Sequence, residues 1–82
     1  MNQERAILKG KLADLKMKKM ELETSISANV KGCKALLAGF EYESVRKFDL
    51  AAASLHLKEA ATQKQSLMEL IEKIRDIEAE LE

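Results

Sequence analysis

Twice in this chain, apolar residues recur in alternating steps of four and three over roughly thirty positions. The first run is Leu8, Leu12, Leu15, Leu22, Ile26, Cys33 and Leu36, with Lys19 and Asn29 at the remaining places. The second is Leu50, Ala53, Leu57, Ala60, Lys64, Leu67, Ile71, Ile74 and Leu81, with Glu78 completing it. A repeat averaging 3.5 residues draws one stripe along a helix, the seam of a coiled coil. The 82 residues include no proline, so neither run meets a strong helix breaker. Aromatic residues make up only 4%. Strands need more aromatic and β-branched residues and frequent turn signals, so a sandwich or barrel is excluded. The fold class is all-α.

The ends of the two runs carry helix signals. Asn2 is a candidate N-cap followed by Gln3 and Glu4, and Gly39 stands where a C-capping glycine belongs. The spacing predicts a first helix over about 3–37. Asp49 is the second N-cap, with Phe48 before it as a hydrophobic staple, and predicts a helix over 49–81. Each helix is about 50 Å long at 1.5 Å per residue. Residues 38–48 form the connecting tip, and 1–82 is a single domain: a long antiparallel helical hairpin. The first helix has one weak stretch, Thr24 to Gly32. It is rich in poor helix formers, and Gly10 and Gly32 each cost ~1 kcal/mol against alanine. A break there would give three helices; the seam continuing through Ile26, Val30 and Cys33 favours none.

Charge supports the hairpin register. If facing residue numbers add to about 87, Arg5 meets Glu82, Lys9 meets Glu78, Lys11 meets Asp76, Asp14 meets Lys73, Lys18 meets Glu69 and Glu23 meets Lys64. All are opposite in sign. Each such pair contributes less than ~1 kcal/mol and acts mainly on orientation.

Two regions are candidate contact sites. Toward the C-terminus, Leu67, Leu70, Ile71, Ile74, Ile77 and Leu81 span about 120° of helix surface, wider than one neighbouring helix covers. They predict self-association into a homodimer or larger four-helix bundle. All three aromatic residues lie in the tip, where Phe40, Tyr42 and Arg46 are candidates for docking on a protein partner. The alternative is that Phe40, Val45 and Phe48 fold back and plug the end of the hairpin.

Chemistry-bearing patterns are sparse. The single Cys33 and single His56 could be brought together by the hairpin as a thiolate–imidazole pair. Cys33 sits on the seam, however, where a free cysteine acts as a small apolar residue, and no third orienting group is evident. Neither a phosphate loop nor a metal-spaced cluster occurs, so no catalytic residue, cofactor or metal is expected. The 14 basic and 14 acidic residues cancel, which argues against nucleic acid held by bulk charge. No apolar run reaches the ~20 residues of a membrane span, and the N-terminus lacks a signal-peptide core. With one cysteine, a cytoplasmic setting is expected.

The residues Phe40-Glu41, Val45, Phe48-Asp49-Leu50, Ala51-Ala52 and the run Ile71, Ile74, Ile77, Leu81 resemble a group of small prophage-encoded helical proteins. In that group a leading helix ends at a Phe-Glu-Pro-Val connector, which here is longer and lacks the proline. The resemblance covers about half the chain and implies a phage-derived setting, with no activity to carry over. The expected function is a non-enzymatic coiled-coil adaptor or assembly component. The alternative is a small regulatory nucleic-acid-binding bundle, for which lysines gathered on one exposed face would be needed.

Overall fold

A computed structural model describes residues 2–38 and 49–82. Two helices, α1 (Asn2–Ala38) and α2 (Leu50–Leu81), pack antiparallel along their length, and no strand occurs among the described residues. The molecule is a rod of 65 × 15 × 14 Å. The tip residues Phe40, Tyr42 and Arg46 lie outside the described residues, as does the staple residue Phe48.

Local sequence explains where α2 starts. The Asp49 carboxylate accepts the backbone N–H of Ala52 at 2.9 Å, satisfying a donor with no partner inside the helix. In α1 the Thr24–Gly32 stretch stays helical. Thr24 donates its hydroxyl to the Met20 carbonyl one turn back at 2.9 Å. Asn29 spends its side chain on α2. Tertiary contacts thus outweigh weak propensity, and α1 is one continuous helix.

The α1 seam is the one its spacing predicts. Leu8, Leu12, Leu15, Lys19, Leu22, Ile26, Asn29 and Leu36 are half-buried, and Cys33 is buried. The α2 seam differs. Ala53, Ala60, Leu67, Ile74 and Leu81 face α1 as expected, but the alternate places belong to His56, Gln63, Leu70 and Ile77. The expected occupants were Leu57, Lys64, Ile71 and Glu78. Leu57 is instead 53% exposed, Lys64 and Glu78 lie in water, and Ile71 is half-buried at the edge. Both choices keep four–three spacing, since a step of three or four from a shared residue lands on opposite sides of the same line. The observed choice leaves two charged residues solvated and gives Asn29 its partners. Those gains offset the loss of up to ~1.5–3 kcal/mol for leaving Leu57 in water.

The core has two halves. Toward the open end, Leu70 and Ile74 are buried against the leucines of α1. Toward the tip, the buried residues are small: Cys33, Ala53 and Ala60. Small side chains there leave room for the polar groups between the helices.

Candidate interaction surfaces

Those polar groups form the best-defined constellation in the molecule. Asn29 from α1 sits between His56 and Gln63 from α2, one turn above and one below. The Asn29 amide nitrogen donates to the Gln63 side-chain carbonyl at 2.9 Å. The Asn29 Oδ1 can only accept, so His56 Nδ1, 2.9 Å away, carries the proton and donates to it. The three side chains make one directional chain across a partly buried layer. Gly32 completes it: a Cβ there would lie 3.2 Å from both Cε1 and Nε2 of His56. The glycine that weakens α1 is what admits the imidazole ring. At the open end, Arg5 donates to the Leu81 carbonyl at 3.0 Å, pinning the register and capping the C-terminus of α2. Facing numbers add to 86 for Arg5 with Leu81 and to 85 and 92 for Asn29 with His56 and Gln63, so the contacts bracket the charge-derived value of 87 without reproducing it.

This layer is a register device. A shift of α2 by one step would leave three polar side chains without partners between the helices, and unmatched groups cost more than matched ones gain. Sequence reasoning placed Asn29 on the seam but missed His56 and Gln63 as its partners. The available signal was the polar residue itself: an asparagine on one seam calls for polar residues at the same level of the other.

The layer also shows what His56 bonds to. The imidazole is engaged by Asn29, and Cys33 is a buried free thiol. No group of three or more His, Cys, Asp or Glu among the described residues could hold a metal ion. Among the described residues no helix is long and apolar enough to cross a membrane.

The C-terminal stripe of α2 is not the free face that its width suggests. Leu70 and Ile74 are only 8% and 6% exposed because α1 covers them. Leu67, Ile71, Ile77 and Leu81 are half-buried. The stripe is wide because it holds both the true seam and its neighbour Ile71. Its centre is therefore spent within the hairpin.

Other apolar side chains are exposed. On α1 they include Ile7, Met17 and Met20, and on α2 Leu50, Leu55, Leu57 and Met68. Two open grooves run along the rod. One lies between the helices and is walled by Leu15, Leu22 and Leu70 with Lys18, Glu69 and Lys73 at its rim. The other lies on α1 alone, around Ala13, Met17, Met20 and Thr24. Comparison with known proteins gives no match to a family model, a curated protein or a solved structure.

Proposed function

We propose that this chain is a non-enzymatic protein–protein interaction module, a coiled-coil adaptor or assembly component that associates with itself and presents its tip to a protein partner. The observation that carries this reading is the shape joined to the surface. A rod 65 Å long and about one helix pair thick leaves one side of each helix uncovered, and large apolar side chains stand on those sides. Such faces bind other helices. The polar layer supports the same reading, because a hairpin fixed in one register is a rigid spacer between its two ends. A phage-derived setting fits this role as an assembly part.

The test is photo-crosslinking in the source cell, with the reactive group at Tyr42 and separately at Met17. Discrete adducts at either position, together with self-association of the purified chain, support the module. A chain that is monomeric and gives no adduct at either position refutes it.

A further inference from the structure

The side of α1 turned away from α2 carries a second four–three run. Ala6, Gly10, Ala13, Met17, Met20 and Thr24 follow one another along it without a charge. The line lies roughly 150° around the helix from the seam. Met20 and Met17 are 68% and 62% exposed, the highest values among the large apolar side chains described. Gly10 sharpens the point. A Cβ at Gly32 would press on His56, whereas one at Gly10 would meet nothing within 4 Å. Nothing inside the hairpin requires a glycine at position 10, in the middle of a long helix that it weakens. Small residues at 6, 10 and 13 let another backbone approach closely.

Charge selects the occupant. Lys9 and Lys16 flank the run on one side, and Asp14 and Glu21 on the other; all four are exposed. In a parallel, in-register pair of helices, a residue on one flank faces the residue five positions further along the other chain. Lys9 then faces the partner's Asp14, and Lys16 the partner's Glu21. Two-fold symmetry repeats both pairs. An antiparallel pair would set lysines against lysines and acids against acids.

We propose that a second copy of this chain occupies the outer face of α1, forming a parallel two-fold dimer. This rests on the reading of the chain as an interaction module and gives its self-association a face and a direction. The two α1 helices lie at the centre, the two α2 helices outside, and both tips point the same way. A partner with two sites would thus meet both tips at once. The run from Ala6 to Thr24 is about 27 Å long. A contact of that length is at the small end of specific interfaces, so the dimer should dissociate on dilution.

Sedimentation equilibrium on the whole chain, from micromolar to submillimolar concentration, tests this with two charge-reversed variants. One is Lys9→Glu with Lys16→Glu; the other is Asp14→Lys with Glu21→Lys. All four positions are exposed, as are Glu78 and Lys73, which the charge register sets opposite Lys9 and Asp14. Exposed pairs of that kind contribute less than ~1 kcal/mol, so both variants should keep the helical content of the parent by circular dichroism. Each alone should dimerise about tenfold or more weakly, because every flanking pair becomes like-charged. An equimolar mixture should recover the dimer, since every cross-pair is again opposite. Ala13→Cys and Met20→Cys should each form a disulfide with themselves on mild oxidation, with Cys33 buried out of reach. An antiparallel pair brings at most one of these positions onto itself. A dimer indifferent to both reversals overturns this face while leaving the interaction module standing. A wild-type monomer throughout the range, or a mixture no tighter than its parts, overturns the proposal as well.

Discussion

Alanine substitution at the two glycines of α1 should move stability in opposite directions. Both Gly10 and Gly32 are helical, and in each case alanine gains about 1 kcal/mol of helix propensity. At Gly10 the new methyl meets open space, so the gain stands. At Gly32 the methyl lies 3.2 Å from two atoms of the His56 ring, which must retreat by a few tenths of an ångström. That ring is held by its 2.9 Å bond to Asn29. Losing the bond leaves a partly buried donor and acceptor unmatched, at a cost of about 1–3 kcal/mol. The net effect of Gly32→Ala is then a loss of up to ~2 kcal/mol, against a gain of ~1 kcal/mol for Gly10→Ala. In a domain of this size each kcal/mol moves the melting temperature by about 4–8 °C, so a difference of about 1–3 kcal/mol should separate the two variants by roughly 4–24 °C. Thermal and urea unfolding followed by circular dichroism, at one fixed low protein concentration, reads this directly. In a His56→Ala background, Gly32→Ala should become stabilising. Equal stabilisation by the two substitutions in the parent chain would refute the placement of the ring over Gly32.

The remaining predictions probe the seam. Leu70→Ala should cost about 2–5 kcal/mol because Leu70 is buried, whereas Leu57→Ala should stay within ~1 kcal/mol; urea midpoints decide, and the reverse order would mean that α2 is turned the other way. Asn29→Leu alone should destabilise by about 1–3 kcal/mol, since His56 and Gln63 lose their partner. Replacing Asn29, His56 and Gln63 together by leucine should recover that loss but broaden the register, detectable as more than one set of amide resonances. Asp49→Ala should cost about 1 kcal/mol through the lost cap on Ala52, and no change in melting temperature would show that the cap contributes nothing.

The first helix was legible from spacing alone because its aliphatic seam has only one continuation. The second was not. Ala53, Ala60, Leu67, Ile74 and Leu81 fit two stripes, and counting apolar residues does not separate them: one adds Leu57 and Ile71, the other Leu70 and Ile77. Hydrophobicity cannot rank those stripes near the tip, where the deciding partner, Asn29, lies on the other helix. The same ambiguity made the end of α2 look wide and free, although Leu70 and Ile74 are buried within the hairpin. Gly32 was legible only as a helix weakener, since its role depends on a ring that arrives from across the interface. The second run on α1 needed the structure for a different reason. Ala6, Gly10 and Ala13 are too small to register as an apolar stripe until their side of the helix is known to face away from α2.

His56 is the only histidine, so its ring protons give an unambiguous probe of how α2 is turned. The most direct measurement is a nuclear Overhauser spectrum of the intact chain. The account predicts cross-peaks from the His56 ring to the α protons of Gly32 and to the side-chain amide of Asn29. Their absence, with Leu57 methyl groups contacting Asn29 and Cys33 instead, would contradict both the seam of α2 and the polar layer.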